Sequence, residues 1–143
     1  MRKSETSEHR SWTMSRIRSK NTGPEMRVRR LVHSLGYRYR LHRKDLPGKP
    51  DIVFGPRRKI IEVRGCFWHA HSRYDPACRE VRAPVKTNTA YWGPKIDRNV
   101  ARDAANLGKL TSLGWNVLVI WECELRDIAQ VERKVRTFIE SCT

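Results

Sequence analysis

The apolar positions of this chain change period several times, and each change predicts an element. From Pro24 onward Val28, Leu31, Val32 and Leu35 recur at helical spacing. Thr22 or Gly23 can cap that helix, Pro24 suits its first turn and Gly36 its stop. Glu25 lies three residues before Val28 and seven before Val32, so it falls on the apolar face. It is either a first-turn acid favoured by the helix dipole or an acid with a partner in the interior. Tyr37–His42 alternates loosely and reads as a strand, and residues 46–50 (Leu-Pro-Gly-Lys-Pro) read as a loop. Asp51–Phe54 and Lys59–Val63 are short apolar runs around the turn Gly55-Pro56-Arg57-Arg58, the pattern of a β-hairpin.

Residues 66–93 are irregular and rich in Cys, His and aromatic side chains. A long helix is predicted from about Pro94 to Leu113, with Ile96, Val100, Leu107 and Leu110 as its stripe and Gly114 as its stop. Val117-Leu118-Val119-Ile120 is a continuous apolar run, the signature of a buried strand. A last amphipathic helix is predicted over about Asp127–Cys142 through Ile128, Val131, Val135, Phe138 and Ile139. The order helix, strands, long loop, helix, strand, helix predicts an α/β fold with a mixed central sheet flanked by helices. Residues 1–22 are polar and basic and read as an arm, disordered when free, although Trp12, Met14 and Ile17 are large apolar residues for such a segment. The arm (1–22) and a single domain (23–143) account for the chain.

Charge adds a partner to this picture. The 143 residues hold 30 Lys+Arg against 15 Asp+Glu, a net charge of +15. Residues 1–44 alone carry 13 basic and 3 acidic residues, a net of +10. Such an excess points to nucleic acid, since each neutralised phosphate releases a counterion. No apolar run approaches the ~18 residues that a membrane span requires, and the basic N-terminus has no secretory h-region. A cytoplasmic protein with reduced thiols is therefore expected, which leaves its cysteines available to a metal.

Two constellations carry candidate chemistry. Asp51 opens one hairpin strand and Glu62-Val63-Arg64 ends the other, so the two ends can be neighbours. Asp51, Glu62 and the Val63 carbonyl then offer hard oxygen ligands for Mg²⁺, and Arg64 a charge-assisted contact to phosphate. The spacing resembles the PD-(D/E)xK nuclease motif, with Arg in place of Lys. Cys66, His71, Cys78 and Cys123 form a second set, three thiolates and one imidazole, suited to a closed tetrahedral Zn²⁺ site. A metal staple would make sense in a loop with few apolar residues. Free buried thiols and a surface histidine are the plain alternative, and Cys142 reads as a packed or free thiol. His69, five residues past Arg64, is a candidate general base for attack of water on phosphorus, or a hydrogen-bonded structural histidine. Phe67, Trp68 and Trp92 either stack on or wedge between bases, or simply pack the loop.

At Gly65-Cys66-Phe67-Trp68-His69 the chain closely resembles the very short patch repair (Vsr) DNA mismatch endonucleases. Pro47-Gly48-Lys49-Pro50-Asp51 before these residues carries the likeness, as do Tyr91-Trp92, Lys95-Ile96, Asn99, Arg102-Asp103, Gly114-Trp115 and Trp121-Glu122-Cys123 after them. It extends from about Met14 to about Arg126. The resemblance implies a restriction-endonuclease-like fold with a structural zinc. It implies Mg²⁺-dependent nicking of one strand 5′ of the thymine in a T:G mismatch, the product of 5-methylcytosine deamination. By that resemblance Asp51 is the metal-binding aspartate, Val63 supplies a carbonyl to the metal, His69 is the catalytic histidine and Glu25 is an acid near the active site. Cys66, His71, Cys78 and Cys123 match the zinc ligands. Phe67, Trp68 and Trp92 match aromatics that insert beside the mismatch from the major groove, and Met14 and Ile17 match the arm that enters the minor groove. Lys95 joins this DNA-contacting set.

Two departures stand out. The stretch between His71 and Cys78 is longer than in the best-known members, and Glu62 and Arg64 stand where those members carry an apolar residue and a histidine. The expected partner is mismatched double-stranded DNA, met by a monomer near the bacterial nucleoid, with a functional link to a cytosine-5 methyltransferase. A restriction-type nuclease on the same scaffold and a zinc-stapled DNA-binding module without activity are the alternatives.

Overall fold

The computed structural model describes residues 22–78 and 89–141, with side chains from residue 93 onward in the second segment. The N-terminal arm with Met14 and Ile17, the Trp92 side chain and Cys142 therefore lie outside the described residues. Four strands form one sheet in the order β1 (Arg40–Leu41), β2 (Ile52–Phe54), β3 (Lys59–Arg64) and β4 (Asn116–Trp121). β1 and β2 pair antiparallel, as do β2 and β3, while β3 and β4 run parallel. Among the described residues the α-helices are α1 (Gly23–Ser34), α2 (Thr89–Ser112) and α3 (Ile128–Glu140), with α2 the crossover that the parallel pair requires. The expected mixed α/β sandwich is the architecture found.

The period-two alternation of β3 divides the core. Ile61 faces one side with Ile52, Phe54 and Ile120, where α1 contributes Val28 and Val32 and α3 contributes Val131, Val135 and Ile139. Ile60 faces the other side with Val53, Leu110 and Trp115. Thr22 caps α1 by accepting the Glu25 N–H, and Asp127 caps α3 by accepting from the Gln130 N–H. The far end of α3 is closed from within the sheet. Lys59, 2% exposed, donates from Nζ to the carbonyls of Phe138 (2.7 Å), Ile139 (2.9 Å) and Ser141 (2.5 Å). Among the described residues these oxygens have no helical N–H partner, and the ammonium meets the negative end of the helix dipole.

Several sequence expectations need correction. The strand foreseen at Tyr37–His42 is only Arg40–Leu41, because His42 turns out of it with φ 47°. The helix foreseen from Pro94 begins at Thr89, so the stretch 66–93 is not irregular throughout. Pro94 is its sixth residue and forfeits a single backbone bond so near the start. On α2 the stripe is also different: Leu107 is 37% exposed, and the inward face runs Ile96, Asn99, Asp103, Asn106, Leu110. β4 is not a fully buried strand, since among the described residues it is an edge, with only Ile120 fully covered. The last helix stops at Glu140 and leaves Ile128 exposed at its start.

Candidate active site and metal centre

The hairpin register places the first constellation. Ile52 pairs with Ile61, so Asp51 stands opposite Glu62 one step further along the antiparallel ladder. Asp51 Oδ2 accepts a 2.9 Å bond from the Val63 N–H, which ties the head of β2 to the tail of β3. The approach to Asp51 is rigid. Gly48 has φ 77°, and a Cβ there would come within 2.7 Å of Asn106 Nδ2, so the loop packs directly on α2.

Glu25 reaches the same place from α1. Its carboxylate is 2% exposed, Oε2 lies 2.8 Å from His42 Nε2, and Arg29 Nη1 is 3.6 Å away. The interior-partner reading of this acid is the one the fold adopts. Glu25, His42 and Asp51 each offer a ligand atom, all within 4.8 Å of one another. Glu62 is not a member of that group; its carboxylate accepts from Arg64 Nη2 at 2.9 Å. Arg64 is 6% exposed and lies over the Trp121 ring at 5.7 Å, so its guanidinium faces the interior. Burial, with the neighbouring charges of Glu25 and Glu62, pushes the Asp51 carboxyl up from 3.8 to about 7, against the lowering effect of the Val63 N–H and Arg64. A divalent cation among these donors would relieve that crowding of acids, so the donor set fits one.

β3 ends in a tight turn that carries the next group. The His69 N–H donates to the Gly65 carbonyl (3.1 Å), and Ala70 takes the left-handed conformation. His69 Nδ1 sits 2.5 Å from Asp103 Oδ2 on α2, and one helical turn earlier Asn99 Nδ2 donates to the Trp68 carbonyl at 3.0 Å. The polar steps in the α2 stripe thus hold the turn. With Nδ1 donating to a carboxylate that can only accept, the His69 Nε2 lone pair is open to take a proton. Phe67 and Trp68 meet edge to face, centroids 4.9 Å apart, and both are half-buried at this end of the sheet.

Below the turn, Cys66, His71, Cys78 and Cys123 also place their ligand atoms within 4.8 Å of one another. Cys66 Sγ and Cys123 Sγ lie 3.6 Å and 3.4 Å from His71 Nδ1. A tetrahedral ion with the usual zinc bond lengths sets such S···N edges at about 3.6 Å. The donor chemistry and spacing therefore fit zinc. Burial pushes the Cys66 thiol up to about 12 and raises Cys123 as well, so a bare pocket would hold protonated sulfurs that a metal would deprotonate. His71 stacks on Trp121 at 4.0 Å and 7°, which fixes its ring.

A sequence profile of the family described as DNA mismatch endonuclease Vsr matches residues 3–75. The chain belongs to the Vsr DNA mismatch endonuclease family. It is 50% identical over 133 residues to the Type II nicking enzyme V.XorIIP of Xanthomonas oryzae pv. oryzae, covering 93% of each chain. It is 39% identical over 117 residues to the DNA mismatch endonuclease Vsr of Escherichia coli, covering 82% of this chain and 71% of that one. Among solved structures, the catalytic domain of the homing endonuclease I-Bth0305I superposes with a TM-score of 0.53 at 23% identity, over 85% of this chain and all of that one, a likeness of fold. As a Vsr-family member the chain is a DNA-nicking endonuclease, which sets aside the reading as a binding module without activity.

Two residues of the site escaped the sequence reading. Asp103 appeared only within the Arg102-Asp103 likeness, without a role. Its signal was a polar residue in a buried helical stripe, visible once Asn99, Asp103 and Asn106 are aligned at spacings of four and three. His42 sat in a segment read as an ordinary strand and left no signal.

Proposed function

We propose that this chain hydrolyses one strand of duplex DNA 5′ of the thymine in a T:G mismatch, in a reaction that depends on Mg²⁺ held at Asp51. The observation that carries the reading is the half-buried Asp51 carboxyl, gathered with Glu25 and His42 within 4.8 Å and pushed up to about 7, at the sheet end that also presents the His69–Asp103 pair. Similarity to a mismatch endonuclease and to a nicking enzyme supports the substrate and the single-strand outcome.

Asp51 and Glu25 would hold the metal, with Glu62 and the Val63 carbonyl adjoining. Bound there, Mg²⁺ would neutralise charge that builds on the scissile phosphate. His69 Nε2 takes the proton of the attacking water while Asp103 fixes the ring and faces the imidazolium that forms. The new P–O bond forms as the bond to the 3′ oxygen breaks, and that oxygen takes a proton from solvent water, leaving a 5′-phosphate and a 3′-hydroxyl. Arg64 keeps Glu62 in place from beneath.

Phe67 and Trp68, joined by Trp92, act as the wedge, and Met14, Ile17 and Lys95 add DNA contacts from the arm and from α2. Unstacking a step commonly costs a few kcal/mol, and it costs less at a mismatch than at a paired step, which supplies part of the selectivity. Cys66, His71, Cys78 and Cys123 would hold zinc, which would keep the wedge rigid. Because T:G pairs arise from deaminated 5-methylcytosine, the enzyme is linked in function to a cytosine-5 methyltransferase.

The test is a T:G duplex with Mg²⁺. Wild type should nick it, and Asp51→Ala and His69→Ala should each lose about 10²–10⁴ in rate. Equal nicking by both variants would remove the assigned roles.

A further inference from the structure

His42 has no part in the reaction as written, yet its ring joins the carboxylate cluster. The backbone puts it there: the His42 N–H donates to the Asp51 carbonyl at 3.1 Å, and φ 47° turns the residue out of β1. Nε2 then stands 2.8 Å from Glu25 Oε2, and the ligand atoms of Glu25, His42 and Asp51 lie within 4.8 Å of one another. Adjacent donors on an octahedral ion with bonds of about 2.1 Å are about 3 Å apart, and opposite donors about 4.2 Å. The His42–Glu25 spacing matches an adjacent pair, and small side-chain shifts would bring all three ligand atoms onto one ion.

We propose that His42 is a third protein ligand of this centre, supplying nitrogen beside the two carboxylates. The proposal rests on the reading of Asp51 as the metal site. An all-oxygen site suits Mg²⁺, whereas an imidazole shifts preference toward Mn²⁺ and later first-row ions. The site therefore binds Mn²⁺ more tightly than Mg²⁺, and His42 widens the difference. For this role the imidazole is neutral, with its proton on Nδ1 and the Nε2 lone pair on the ion.

The experiment uses the full zinc-loaded chain with stoichiometric Mn²⁺ and no DNA. Pulsed electron paramagnetic resonance on the frozen complex should show one directly bound ¹⁴N, converted to ¹⁵N when the protein carries ¹⁵N-histidine. His42→Gln should abolish the nitrogen coupling and weaken Mn²⁺ binding by about tenfold or more, with a smaller change for Mg²⁺. His42→Asn serves as a second variant, and the wild-type spectrum is informative without either. Mn²⁺ binding that Asp51→Asn abolishes, but with no nitrogen coupling in wild type, would overturn the role of His42 and leave Asp51 as the metal site. Coupling that survives in both His42 variants would assign the nitrogen to another histidine and overturn the proposal too. Absence of any Mn²⁺ or Mg²⁺ binding would instead overturn the metal-site reading and this inference together.

Discussion

Replacing Asp51 by Asn removes a charge from the cluster while keeping an acceptor for the Val63 N–H, and the consequence for stability has a definite sign. In the unfolded chain the carboxyl titrates near 3.8; in the fold it titrates near 7. Below pH 3.8 it is neutral in both states and costs nothing. Between 3.8 and 7 the unfolded chain ionises first, so it binds fewer protons than the folded chain and stability falls as pH rises. Above about 7 the loss is complete. At about 1.4 kcal/mol per pH unit the full displacement corresponds to roughly 4 kcal/mol, and residual solvent access lowers this to about 2–4 kcal/mol. Urea unfolding of zinc-loaded wild type and Asp51→Asn, in buffer without other divalent cations, reads the difference between the two proteins, because titrating groups that do not interact with Asp51 cancel. Asp51→Asn should gain about 2–4 kcal/mol on wild type between pH 4 and pH 8, and millimolar Mg²⁺ at pH 8 should close the gap by stabilising wild type alone. A difference that stays flat with pH, or grows in favour of wild type, would refute the reasoning.

Other substitutions probe separate parts of the account. Cys123→Ser should lower bound zinc from about one ion per chain to none by metal analysis, with a matching fall in melting temperature. Lys59→Met removes the ammonium from the end of α3, where the Ile139 carbonyl keeps Arg57 and the Phe138 carbonyl keeps the Ser141 hydroxyl, and should cost about 1–3 kcal/mol in urea unfolding; an unchanged midpoint would remove that capping role. Asp103→Asn leaves His69 without a carboxylate partner, so single-turnover nicking should slow by about 10²-fold or more while DNA affinity stays put. A change confined to affinity would place Asp103 in binding instead.

What could be read from the chain before folding was whatever depended on short spacings. The β2–β3 hairpin puts Asp51 opposite Glu62 because two apolar runs flank a Gly-Pro turn, and a two-residue period transmits register from one strand to the other. Glu25 was placed on the buried face by helical period alone. The Cys66, His71 and Cys78 spacing, with Cys123 at the end of an apolar run, marked the second metal set before any geometry was known. The pieces that were missed depend on long-range packing. Asp103 acts on His69 from 34 residues away, and only the angle at which α2 crosses the sheet brings them together. His42 reaches Glu25 through a left-handed backbone turn, a conformation that no side-chain pattern announces. The early start of α2 was hidden by Pro94, whose usual place is the first turn.

The most direct trial of the central claim is strand-resolved cleavage of two duplexes that differ only at one base pair, T:G against T:A, each labelled on both strands and incubated with Mg²⁺. The account predicts a single nick 5′ of the thymine in the T:G duplex, an intact guanine-bearing strand and an intact T:A control. Cleavage of both strands, or equal cleavage of the matched duplex, would contradict it.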